Sequence, residues 1–245
     1  MSANIHNRDV EPSILARQRI AEQLSGNAQI GGQPGGKAGE IVNEMINRLS
    51  DGTLEFGATL SINNLADEFN ASRQPVSVAI SHLRSLGYVD VVPQVGCRVV
   101  SPSPAEIEDF FYVLAHMESA LAGLAAKRHG TADGELLAAL ADEIIAIPFD
   151  NPTHQRHYAV AVDTFHATIW EISRANAVVG RIRDLWRLAD FYLWHGAGNF
   201  DGNGVATANR ERQRIVRAIR RRDVGRAESL MLKHVRGKPS RVGIV

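Results

Sequence analysis

Leu65-Ala66-Asp67-Glu68-Phe69-Asn70-Ala71-Ser72-Arg73-Gln74-Pro75-Val76 is the stretch on which the reading of this chain turns. It reads as a short helix, a tight turn, and a second helix opened by a serine N-cap with an arginine beside it. Arginine and small polar residues at a helix N-terminus suit the DNA major groove, where base edges carry a readable donor and acceptor pattern.

Working outward, Ile41, Met45, Ile46 and Leu49 recur at helical spacing and predict a first helix, ended by Gly52. Ser61 can cap a second short helix running through Phe69. Ser72 can cap a third, with Val76, Ile80, Leu83 and Leu86 on its buried side before Gly87 stops it. Tyr88–Val92 and Cys97–Val100 then alternate as two strands, joined by Pro93-Gln94-Val95-Gly96 as a hairpin. Three helices and a two-stranded β-hairpin over residues 37–102 make a winged helix-turn-helix.

On either side the pattern changes. Residues 1–36 read as a flexible N-terminal extension. Ile14 to Leu24 offers a helical turn or two, and Gly31-Gly32-Gln33-Pro34-Gly35-Gly36 is a break. Ser103-Pro104-Ala105-Glu106 combines a serine N-cap, proline at N1 and glutamate at N3, a capping box that starts a helix. From there helices are expected near 104–128, 132–146, 152–173, 177–197, 205–222 and 224–236, with no strand. The fold class is mainly α, with a second, all-α helical-bundle domain over 103–245.

Totals constrain the rest. The 245 residues, 44% hydrophobic and 22% charged, are ordinary for a globular protein. No apolar run approaches the ~20 residues that span a bilayer, so a cytoplasmic location is expected and no membrane partner. Cys97 is the sole cysteine, which excludes intrachain disulfides and a thiolate-rich zinc cage. Lys37 to Ser101 holds five basic residues against seven acidic ones. Charge alone therefore does not point to phosphate binding.

The residues carry a resemblance. Leu65-Ala66, Ser72-Arg73, Pro75-Val76, Leu83, Gly87-Tyr88-Val89, Pro93 and Gly96 fall at the spacings of the winged-helix domain of GntR-family bacterial transcription regulators. The helical remainder resembles the FadR-type (FCD) ligand-sensing domain through Glu118, Phe165-His166, Asn176, Ile215, Ala218-Ile219, Asp223, Ala227-Glu228, Met231 and His234. The resemblance implies a DNA interface at Ser72, Arg73, Gln74 and Ser77, with Gln94 and Gly96 at the wing tip. It departs at Ser77, where the family usually carries a second arginine. Serine makes one weaker contact in place of a bidentate pair with guanine, which leaves Arg73 the principal contact.

The resemblance also implies a pocket in the helical domain. Metal-binding relatives use an aspartate four residues before the histidine of Phe-His, that histidine, and two later ones. His166 and His234 match; Val162 holds the aspartate position, with Asp163 one residue off, and Arg212 holds the middle histidine position. Two mechanisms follow. A divalent metal (Zn, Ni or Mn) binds through Asp163, His166 and His234, with His195 as a further candidate. Alternatively, Arg212 supplies the positive charge and grips a small carboxylate, an organic or sugar acid, directly. Guanidinium cannot ligate a cation and three protein ligands are the usual minimum, so the ligand count favours the second. The plain alternative is that His166 and His234 are core histidines and Arg212 a surface charge.

These readings point to a ligand-responsive, homodimeric regulator on a pseudo-palindromic double-stranded DNA operator, and not to an enzyme. Two alternatives stay open: a metal-dependent or acid-base enzyme built on His166 and His234, and a DNA-binding module whose helical domain only dimerises. Residues 210–241 hold twelve basic residues against three acidic ones, a run read as a solvated helical face.

Overall fold

In the computed structural model, which describes residues 11–24, 34–50, 52–92, 96–196 and 202–244, helices dominate. In chain order the first elements are α1 (Pro12–Leu24), α2 (Gly36–Ser50), β1 (Thr59–Leu60), α3 (Ile62–Glu68), α4 (Arg73–Ser85), β2 (Val89–Val92) and β3 (Gly96–Val99). After these come α5 (Pro104–Arg128), α6 (Thr131–Ala146), α7 (Pro152–Ser173), α8 (Asn176–Gly196), α9 (Gly202–Arg220), α10 (Val224–Arg236) and the short α11 (Lys238–Arg241). The helix starts follow from local chemistry. Ser103 and Glu106 exchange the capping-box bonds that open α5, Asn151 caps α7 through the His154 amide, and Asp223 caps α10 through the Arg226 amide.

The chain forms two units. One combines Gln29–Leu114 with Gly180–Phe200 and Lys238–Val245, and the other combines Met1–Ala28, Ala115–Val179 and Asp201–Gly237. The first contains the helix-turn-helix. Its turn is Asn70-Ala71-Ser72, with Asn70 left-handed at φ 45°, a conformation asparagine tolerates. Val76, Ala79, Ile80 and Leu83 form the buried stripe of α4. Arg48 of α2 pairs with Glu44 and Glu68 and lies over the Phe69 ring, tying α2 to α3. The Glu68 bond, then the Glu44 bond, hold its guanidinium above the usual pKa.

The sheet exceeds the expected hairpin. A third strand, β1, pairs antiparallel with β3, giving the order β1-β3-β2. Its two residues are too few for an alternation to show in sequence. The hairpin residues 93–95, including the candidate Gln94, lie outside the described residues.

The segment Gly180–Phe200 contributes to the same unit. Leu188 and Phe191 join the core with Tyr88, and Phe191 meets Phe56 edge-on at 5.1 Å and Tyr88 at 5.4 Å. Burial pushes the Tyr88 phenol well above its ordinary pKa. The second unit is a helical bundle in which α1 is a full helix, contrary to the expected flexible extension. Ala16 and Ile20 are buried, and Arg17 and Arg19 pair with Glu143 and Glu171 at 2.7 Å. Only two apolar positions face inward, which is why its periodicity read as a turn or two.

Gly87 closes α4. At φ +85° it lets the Tyr88 amide return to the Leu83 carbonyl at 3.0 Å, and an added Cβ would stand 3.1 Å from Leu188. Gly87→Ala is therefore expected to cost about 1–3 kcal/mol in urea denaturation. A cost below about 0.5 kcal/mol, the scatter of ordinary surface substitutions, would refute the constraint.

Candidate functional site

The outer face of α4 is built for contact. Ser72, Arg73, Gln74 and Ser77 are exposed, and Arg73 and Gln74 have no side-chain partner among the described residues. Ser72 occupies the N-cap position without a side-chain capping bond, so the expected cap is positional only and its hydroxyl remains available. Ser77 Oγ donates back to the Arg73 carbonyl at 2.9 Å, which leaves it only acceptor capacity toward a ligand. Arg73 and Gly96 share the wall of a cavity of about 250 Å³ with Ser61 and Asn63. Helix start and wing thus line one concavity.

A second constellation lies inside the bundle. His166 of α7 and His234 of α10 are fully buried and stack with ring centroids 5.8 Å apart at 12°. Each leans on a carboxylate: Glu118 Oε2 lies 3.0 Å from His166 Nδ1, and Glu211 Oε2 lies 2.8 Å from His234 Nδ1. Glu118 also accepts the Trp170 indole N–H at 2.7 Å. Such carboxylates fix ring orientation.

Arg212 is buried on α9, 3% exposed. One terminal nitrogen donates to the Tyr158 hydroxyl at 2.9 Å and to Asn209 Oδ1 at 2.6 Å, and its Nε has no hydrogen-bond partner. No carboxylate among the described residues forms an ion pair with it. Arg212 is thus a buried residue and not a surface charge.

The remaining candidates divide. Asp163 is half-buried on α7. Among the described residues no group of three or more His, Cys, Asp or Glu side chains is placed to hold a metal ion, so Asp163, His166 and His234 are not assembled as a ligand set. His195 falls in the other unit, where Nε2 meets the Leu54 carbonyl at 2.9 Å and the ring stacks on Phe56 at 5.0 Å. It is a packing residue there. The fold thus places this candidate apart from His166, His234 and Arg212, which belong to the other unit.

Comparison with known proteins agrees with both halves. Residues 37–99 match the model for bacterial regulatory proteins of the gntR family, and residues 109–237 match the FCD domain. The chain belongs to the GntR family. It is a DNA-binding transcription regulator with an FCD effector domain. An uncharacterised HTH-type transcriptional regulator of Agrobacterium vitis, from the TAR-I ttuE-ttuC′ intergenic region, is 24% identical over 65% of this chain and 96% of its own length. In fold the chain is similar to E. coli McbR/YncC (TM-score 0.66, 18% identity, 84% of this chain and 97% of that one). It is also similar to a GntR transcriptional regulator from Rhodococcus sp. RHA1 (TM-score 0.63, 20% identity, 85% and 98%). Among the described residues no helix is long and apolar enough to cross a membrane.

Two site residues escaped the sequence. Glu118 was noticed only as a family marker, although a lone carboxylate among Leu114, Ala115, Leu121 and Ala122 is itself a sign of a buried polar role. Glu211 gave no signal, being one acid inside a basic run. Glu118→Ala removes the acceptor that the Trp170 indole and His166 share. It is expected to destabilise the protein by about 3 kcal/mol, read by tryptophan fluorescence in urea. A cost under about 1 kcal/mol would mean that this acceptor does not organise the bundle.

Proposed function

We propose that this regulator acts as a homodimer on a pseudo-palindromic operator and that a small carboxylate, bound by Arg212 in the helical bundle, modulates its DNA affinity. One observation carries the ligand class. Arg212 is a buried cation with neutral hydrogen-bond partners and an unused Nε–H. Burying an uncompensated ion costs several kcal/mol, and a carboxylate supplied from outside offsets that cost with charge-assisted bonds. Tyr158 and Asn209, which share a 3.0 Å hydrogen bond, hold the guanidinium side-on and support its orientation.

The metal-dependent alternative loses ground on ligand chemistry. Two imidazoles fall short of three protein ligands, and the residue at the third position is a cation. Carboxylate binding regulates the protein only if it favours one arrangement of the two readers over another. At the DNA, Arg73 is the principal contact, with Ser72, Gln74 and Ser77 beside it on α4 and Gly96 on the wing.

In a thermal-shift panel of small carboxylates, at least one acid is expected to stabilise the wild type. At a hundredfold excess over Kd the gain is about 2.7 kcal/mol. Arg212→Gln should abolish that response while remaining folded; an acid response that survives the substitution overturns the assignment. For the reader, Arg73→Ala is expected to weaken operator binding by about 1–3 kcal/mol. An unchanged affinity would remove Arg73 from the interface.

A further inference from the structure

The basic run of α9 and α10, read above as a solvated face, is not merely dispersed. Arg214 and Arg217 of α9 and Arg221, one residue past its end, recur at i, i+3 and i+7; the Arg221 amide still donates to the Arg217 carbonyl at 3.1 Å, so the three share one face. Together with Arg226 of α10 they line an open cavity of about 500 Å³, whose apolar wall is Ala218 and Leu230. Asp223 is the only acid lining it, and its carboxylate already caps α10 through the Arg226 amide at 3.0 Å. None of the four arginines forms an ion pair with a carboxylate among the described residues.

That arrangement needs an explanation. Four guanidinium groups around one concavity repel one another. The exposed Arg17 and the half-buried Arg19 and Arg48 elsewhere in this chain do find carboxylates. Here the acids were not supplied. Arginine forks match phosphate oxygens bidentately, so the donor set suits a ligand with several such oxygens. The cavity exceeds what one phosphate fills, and three net positive charges call for more than a monoanion.

We propose that this concavity is a binding site for a diphosphate-bearing small molecule, separate from the carboxylate site proposed at Arg212. The two face different ways. At 100° per residue, Arg214 and Arg217 lie roughly 140–200° around α9 from Arg212. The diphosphate spans the arginine row, and Ala218 and Leu230 offer an apolar surface to whatever the diphosphate carries.

The test is isothermal titration calorimetry on the full chain, without DNA and at low ionic strength. The probes are inorganic pyrophosphate and ADP, each against wild type, the double variant Arg217→Gln/Arg221→Gln, and Arg212→Gln. The site predicts saturable pyrophosphate binding by wild type. The double variant should weaken it by roughly tenfold or more, with an unchanged melting temperature in the absence of anion. Arg212→Gln should leave it intact. ADP binding tighter than pyrophosphate would mark a nucleotide-like source that uses Ala218 and Leu230, whereas equal binding would mark an inorganic one. The proposal is overturned if pyrophosphate does not bind or if the double variant binds it normally. It is also overturned if Arg212→Gln abolishes binding, because the anion would then be entering the other site. Loss of DNA affinity or of self-association in the double variant, without pyrophosphate binding by wild type, would reassign the face to those partners.

Discussion

Glu118 is the buried charge around which the helical bundle is organised. It accepts from the Trp170 indole and from His166, the His166 ring stacks on His234, and His234 leans on Glu211. The chain of contacts therefore links α5, α7, α10 and α9 through polar groups inside an otherwise apolar interior. A buried polar network of this kind is costly when half satisfied and specific when complete. It fixes which faces of α7 and α10 oppose one another, and hence where a ligand can find fixed dipoles and charge.

Much of the fold was legible because its signals were local. Capping residues at Ser61, Ser103, Asn151 and Asp223 name the starts of helices by themselves, and glycine at Gly87 names an end. The amphipathic stripe of α4 likewise needs only its own sequence to be read. What escaped depended on distant partners. Strand β1 exists because β3 presents an edge, and α1 is held by partners on Glu143 and Glu171, well over a hundred residues away. No window of sequence contains those pairings.

The site was legible in its histidines and only partly in its surroundings. Phe165-His166 and His234 were marked by the family resemblance, and the structure stacks the two rings. Their carboxylates came from helices that carry no shared motif. His195 went the other way. Its helix, α8, supplies Leu188, Phe191 and His195 to the unit that contains the winged helix, although in sequence it sits deep within the helical half. Contiguity in sequence is thus a poor guide to which core a residue joins.

Charge is distributed against the simple expectation for a DNA-binding protein. The reader carries five basic residues against seven acidic ones, whereas residues 210–241 carry twelve against three, leaving ten basic and seventeen acidic elsewhere. Non-specific affinity scales with the number of phosphates neutralised, so a reader this poor in cations gains little from the backbone alone. On the proposed reading, discrimination rests on a few side chains at the start of α4, where Arg73 is the exposed guanidinium. The excess positive charge is instead concentrated on α9 and α10, with Arg212 buried and the arginine row exposed. The chain thus holds its densest cationic features not in the reader but in the FCD domain. There, binding an anion changes the local charge balance more than it would on an evenly basic surface.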